Sequence, residues 1–165
     1  MHISTATTVR FHAAPVDYRE RLSPSLWALL SAALAAPMVA LVFVPLDATV
    51  ALIAGLGAAA ALIVALVASA PIVAVRGGEL RVGPAHIPVA LLDDPMALTG
   101  EEARDARGPG LHRDAWHLLR PGIGGIVQVG IRDDRDPASQ WVFSSRTPDR
   151  VVSAIRRAQR SSSGR

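Results

Sequence analysis

The chain has 165 residues, no cysteine, and 17 basic against 14 acidic side chains, for a formal net charge of +3. The lack of cysteine excludes disulfides, thiol catalysis and thiolate zinc sites. Every basic residue is arginine, and a balance this close to neutral does not point to nucleic acid, although the sequence pI is about 10.9.

Residues 1–16 carry Ser, Thr, Ala and scattered His and predict a mobile N-terminal tail. Asp17-Tyr18-Arg19-Glu20-Arg21-Leu22 follows as a juxtamembrane segment. From Leu26 to Val75 the one ionisable side chain is Asp47. A water-soluble helix needs a polar face, and this stretch has none. It predicts a two-helix transmembrane hairpin, with spans at about 26–44 and 48–70. Each is close to the roughly 20 apolar residues that cross a bilayer core of about 30 Å. Pro45-Leu46-Asp47 is long enough only to turn, so the spans are antiparallel neighbours. Pro37 predicts a kink in the first span, and Pro71 ends the second. The apolar run continues past Ala33-Leu34-Ala35 and a second span follows at once, which argues against a cleaved signal peptide.

Arg19 and Arg21 precede the first span, Arg76 and Arg81 follow the second, and the turn between them has no positive residue. The positive-inside rule predicts a plasma-membrane protein with both termini cytoplasmic. Trp27 is placed to sit at the headgroup level. In the second span Ala54 and Ala58, and Gly57 and Ala61, are small residues four apart. They suit packing against the first span or a homodimer face.

After Pro71 the composition changes to that of a small cytoplasmic α+β domain, residues 76–159, with a flexible tail at 160–165. Gly77-Gly78 and Gly83-Pro84 are turn signals around the strands Glu79–Val82 and His86–Leu91, and Asp93-Asp94-Pro95 breaks the second. Thr99 caps a short helix through about Ala106. Asp114–Arg120, Ile126–Arg132 and Gln140–Ser145 are strands, and Ile126–Arg132 buries Val127, Val129 and Ile131. Thr147-Pro148 opens a closing helix with Val151, Val152, Ile155 and Ala158 as its apolar stripe. The element order, an antiparallel β domain with a C-terminal helix, is pleckstrin-homology-like by analogy, which carries no function by itself.

A set of short motifs accompanies this order: Tyr18-Arg19-Glu20-Arg21-Leu22, Gly78-Glu79-Leu80-Arg81-Val82-Gly83 with His86-Ile87-Pro88, Arg107-Gly108-Pro109, Leu118-Leu119-Arg120-Pro121, and Trp141 through Pro148. Together they resemble the actinobacterial membrane proteins grouped as domain of unknown function 3093, over about residues 17–158. The resemblance implies an integral membrane protein without an assigned activity, and it supplies no catalytic residue.

The chemistry read from residues is sparse. His112, Asp114 and His117 are the one metal-like grouping, but odd spacing puts Asp114 and His117 on opposite strand faces. Glu101, Glu102 and Asp105, and the loop acids Asp133, Asp134 and Asp136, read as solvated surface. Ser144 and Ser145 lack a nucleophile-elbow context. Gly122-Ile123-Gly124-Gly125 lacks the Lys and helix of a phosphate loop. No cofactor is implied. Arg146, Arg150, Arg156, Arg157 and Arg160 cluster around the closing helix. Arg19, Arg21, Trp27, Arg76, Arg150, Arg156, Arg157 and Arg160 are the expected membrane-surface contacts, and the bilayer is the expected partner. The leading expectation is a non-enzymatic, membrane-tethered interaction or scaffold module with a protein partner at its cytoplasmic domain. The alternatives are an anionic-lipid-sensing domain using the C-terminal arginines and an enzyme with a pocket near His117. Nucleic acid is not expected, because aromatic residues do not interleave the basic ones.

Overall fold

The computed structural model describes residues 16–133 and 136–163, the side chains of residues 16, 17 and 163 excepted. The tail expected at the N-terminus lies outside the described residues up to residue 15, as do residues 134–135 of the acidic loop and the last two residues.

The apolar stretch folds as a hairpin of helices α1 (Leu26–Ala33), α2 (Ala35–Phe43) and α3 (Ala48–Ala68). Ser25 starts α1, its side chain accepting from the Ala28 amide. The helical run is interrupted at Leu34, one turn before Pro37, where the missing proline N–H and its ring deny the Ala33 carbonyl a helical partner. Asp47 caps α3 by accepting from the Thr49 and Val50 amides at 2.7 and 3.1 Å. Two apolar segments, Leu26–Phe43 and Ala48–Ala68, are long enough to cross a membrane. Of the large hydrophobic side chains exposed among the described residues, all but Met96 lie in this hairpin.

The two long segments pack on small residues. Ala51, Gly55 and Ala59 are the buried positions of α3, four residues apart. A Cβ on Gly55 would meet the Ala36 carbonyl oxygen at 2.4 Å, so only glycine permits this approach. Of the small residues expected to pack, Ala54 and Ala58 are half-buried at the margin, while Gly57 and Ala61 face outward.

The rest is an α+β domain with two antiparallel-based sheets and a C-terminal helix. The first sheet has the order β1-β2-β3-β4: β1 (Val16–Arg21), β2 (Ile72–Arg76), β3 (Glu79–Val82) and β4 (Ala85–Pro88). Gly77 and Gly78, at φ 60° and 81°, make the tight turn between β2 and β3. The second sheet has the order β5-β7-β8-β6: β5 (Leu92–Leu98), β6 (Trp116–Leu118), β7 (Gly125–Ile131) and β8 (Gln140–Ser145). Helix α4 (Gly100–Ala106) lies between β5 and β6, and α5 (Pro148–Ser163) closes the chain. Val73, Val75, Leu80 and Val82 of the first sheet share one core with Val127, Val129, Trp141 and Phe143 of the second and with Val151, Val152, Ile155 and Ala158 of α5. On the opposite face of the second sheet, Ala103 and Ala106 of α4 cover Ile126 and Val142.

Four expectations are corrected. Residues 17–22 are not a separate juxtamembrane lead: β1 pairs antiparallel with β2, so the hairpin is inserted between neighbouring strands, and the boundary expected after residue 75 falls inside β2. Asp93-Asp94-Pro95 does not end a strand. The chain continues as β5 through a bulge between Asp93 and Met96, with Asp94 at φ 37°. This edge strand tolerates a proline that donates no ladder bond. The strand expected at 114–120 is only β6, and it runs parallel to β8. Its Trp116 ring lies 4.6 Å from that of Trp141. Finally, residues 160–163 are not a loose tail but the last turn of α5.

Candidate functional site

Side-chain and backbone hydrogen bonds converge on the junction of hairpin and β domain. The Leu22 amide donates to the Pro71 carbonyl at 2.9 Å, and Leu22 is fully buried. This closes the base of the inserted hairpin. Arg21 donates to the Val67 carbonyl at 2.7 Å and Arg120 to the Ser69 carbonyl at 3.0 Å. Two guanidiniums therefore cap the carbonyl end of α3, where the helix dipole is negative. The loop after β6 also reaches this junction: Gly122, at φ 81°, would place a Cβ 2.8 Å from that of Ser25.

A second network ties β1 to the start of α5. Tyr18, Glu20 and Leu22 point inward from β1, while Arg19 and Arg21 point outward. The Glu20 carboxylate accepts from the Tyr18 hydroxyl at 2.7 Å, the Ser145 hydroxyl at 2.6 Å and the Arg146 amide at 2.8 Å. The Tyr18 oxygen is also 2.7 Å from the Thr147 hydroxyl, and Ser145 accepts from the Thr147 amide at 3.1 Å. Burial raises the Tyr18 pKa, with the Thr147 hydroxyl opposing and Glu20 reinforcing that shift. Arg146 then reaches the carbonyls of Arg21 and Ser23 at 3.2 and 2.9 Å. The buried serines are thus occupied by structure: Ser145 holds Glu20, and Ser144 accepts from the Arg120 amide at 2.9 Å.

The outer face of the first sheet is basic. Strand register places Arg19, Ala74, Arg81 and His86 in one row across all four strands. A cleft of about 710 Å³ opens over this face, lined by Arg19, Arg76 and Arg81 and closed on one side by Ser69 to Ile72, where α3 joins β2. Among the described residues, Glu79 is the acidic residue in the lining, and it pairs with Arg81 at 3.4 Å.

The expected membrane-surface residues separate into groups. Arg19 and Arg76 line the basic cleft and Arg21 caps α3. Trp27 is exposed on the first turn of α1. Arg150 and Arg157 meet Arg19 across a second cleft of about 520 Å³, beside Tyr18 and Asp149. Arg156 donates to the Pro95 carbonyl at 3.1 Å, and Arg160 is exposed on the last turns of α5. That end of α5 is remote from the hairpin: Gln159 bonds the Val89 and Leu92 carbonyls, at the opposite end of the first sheet from Pro71.

His112, Asp114 and His117 are all exposed, and among the described residues no group of three or more metal-ligating side chains comes together. A hydrogen bond to Ser139 is the main cause of a lowered Asp114 pKa. Sequence reasoning missed the Glu20 network. Its one available signal was the inward alternation of Tyr18, Glu20 and Leu22, which the two flanking arginines and the adjacent apolar run disguised.

No curated protein and no solved structure matches the chain. A family model described as Protein of unknown function (DUF3093) matches residues 17–155, from β1 into α5. That span takes in the hairpin, both sheets and the network that joins them, and the chain belongs to this family.

Proposed function

We propose that the chain is a two-span integral membrane protein with both termini cytoplasmic, and that its β domain is a non-enzymatic interaction module mounted directly on the inner face of the membrane. The β1–β2 pairing carries this reading, because it fixes both ends of an outwardly apolar hairpin to one sheet. The segments before α1 and after α3 must then lie on the same side of the bilayer. The arginines Arg19, Arg21, Arg76 and Arg81 gather on that side, which the positive-inside rule assigns to the cytoplasm. Arg21 and Arg120 bond the domain to carbonyls at the end of α3, and Arg146 reaches the Ser23 carbonyl in the segment leading to α1, so the module is held directly against the hairpin.

A protein-docking role draws support from Met96, among the described residues the exposed large hydrophobic outside the hairpin, beside Leu98 and the acidic Glu101, Glu102 and Asp105. An apolar side chain bordered by three carboxylates suits a partner surface of complementary, basic charge. Photo-crosslinking from positions 96 and 157 of the full chain in native membranes tests the reading. A reproducible protein adduct from position 96 is expected. Lipid adducts alone, from a folded and inserted chain, would remove the adaptor role.

A further inference from the structure

We propose that the basic cleft on the outer face of the first sheet binds the headgroup of an anionic phospholipid from the inner leaflet. This rests on the membrane placement proposed above and adds a ligand to it.

Three observations converge on the cleft. The first is its geometry. Arg19 on β1 and Arg81 on β3 flank Ala74 on β2 in one cross-strand row. Two strand spacings put their backbones roughly 10 Å apart. Two arginine side chains close such a gap around a phosphate, and Ala74 leaves the floor open between them. Guanidiniums suit this ligand because their donor fork matches phosphate oxygens. The second is charge: among the described residues, three arginines, Arg19, Arg76 and Arg81, line the cleft together with one carboxylate, Glu79. The carbonyl end of α3, which would repel an anion, is already occupied by Arg21 and Arg120.

The third is position. Ser69, Ala70 and Pro71 form one wall, so the cleft begins where the second apolar helix ends. A lipid seated there keeps its acyl chains against the apolar hairpin that begins at this wall, while its headgroup meets the arginines. A free anion would use the arginines but not that apolar wall. The arginines at the far end of α5 lack this continuity with the hairpin.

The test uses full chain reconstituted in phosphatidylcholine nanodiscs with or without phosphatidylglycerol, followed by native mass spectrometry of the lipid retained on release. Wild type is expected to retain phosphatidylglycerol in preference to phosphatidylcholine. The double variant Arg19→Gln/Arg81→Gln is expected to lose that preference by about thirtyfold, the scale set by two basic side chains near a membrane surface. Ala74→Glu, which places a carboxylate on the floor, is expected to do the same. Glu79→Gln strengthens retention, and Arg156→Gln/Arg160→Gln leaves it unchanged. Both targeted arginines are exposed, and the partner Arg81 has among the described residues is Glu79, so loss of fold does not confound the result. Equal retention of the two lipids, or an undiminished preference in the double variant, overturns the site. Displacement of phosphatidylglycerol by inorganic phosphate at equal concentration overturns the lipid assignment in favour of a soluble anion. Release of the chain from membranes by alkaline carbonate overturns the membrane reading and this site with it; retention without lipid preference overturns this site alone.

Discussion

Arg21 and Ile72 are cross-strand partners in β1 and β2, although residues 22–71 lie between them in the chain. The hairpin is therefore a long insertion in what is otherwise an antiparallel strand pair. One consequence concerns the minimal folding unit. A chain beginning at Ile72 would leave β2 as an open edge and expose the side of Val73 and Val75 that Leu22 and Tyr18 cover. Joining Leu22 to Pro71 through an Asn-Gly turn in place of residues 23–70 is expected to give a soluble folded domain. Near-ultraviolet circular dichroism of the Trp116–Trp141 pair is the readout. The bypassed chain should show the signal and the chain starting at Ile72 should not; equal signals from both would make β1 dispensable.

Glu20 accepts three hydrogen bonds, two of them from residues at the β8–α5 corner. Glu20→Ala leaves the buried Ser145 hydroxyl and the Arg146 amide without an acceptor. At about 1–3 kcal/mol for such a loss, the variant is expected to unfold about 3 kcal/mol more easily, read by thermal or denaturant unfolding of the tryptophan signal. Glu20→Gln keeps an acceptor and should recover part of the loss.

The helix hairpin offers a paired test. Gly55→Leu drives a side chain into the Ala36 carbonyl, while Gly57 has nothing within 4 Å of where a Cβ would stand. Gly55→Leu should destabilise the hairpin by about 2 kcal/mol, in the range of overpacking substitutions. Gly57→Leu should be neutral in monomeric detergent complexes. Thermal stability in detergent distinguishes them, and equal effects would show that the two segments do not pack along Ala51, Gly55 and Ala59.

Asp93 hydrogen-bonds Arg132 across the β5–β7 edge, and that contact holds the Asp93 carboxyl below its ordinary range while raising Arg132. Because the folded value lies below the unfolded one, the stabilisation is present above the unfolded value and is lost as pH falls through the lowered folded value. Arg132→Ala is expected to return the Asp93 titration to the ordinary carboxylate range in a carboxyl-carbon NMR titration. Both groups are solvent-exposed, so screening keeps the accompanying change in stability small. An unmoved Asp93 titration would show that the contact does not form in solution.

Sequence alone determined the features that depend on local composition. An apolar run with Asp47 as its one charge reads as two helices and a turn, because its length and the short Pro45-Leu46-Asp47 break are set by local sequence. Alternation in Ile126–Ile131, the Gly77-Gly78 turn and the Thr147-Pro148 helix start were legible for the same reason: each is set by neighbours a few residues away. The basic side chains near the hairpin were legible as a group.

Tertiary structure decided what depends on partners distant in the chain. Tyr18 to Leu22 has the length and polarity of a short linker, and it becomes β1 only because β2, past the hairpin, supplies its hydrogen bonds. Pro95 looks like a strand breaker until β5 is found at a sheet edge, where a missing N–H costs no ladder bond. Register across three strands, which no local pattern encodes, put Arg19 beside Ala74 and Arg81. The end at which α5 packs carried Arg156 and Arg160 away from the hairpin. Hydrogen bonding and burial between distant segments thus separated arginines that are equivalent in sequence into helix caps, a cleft lining and a remote helix face.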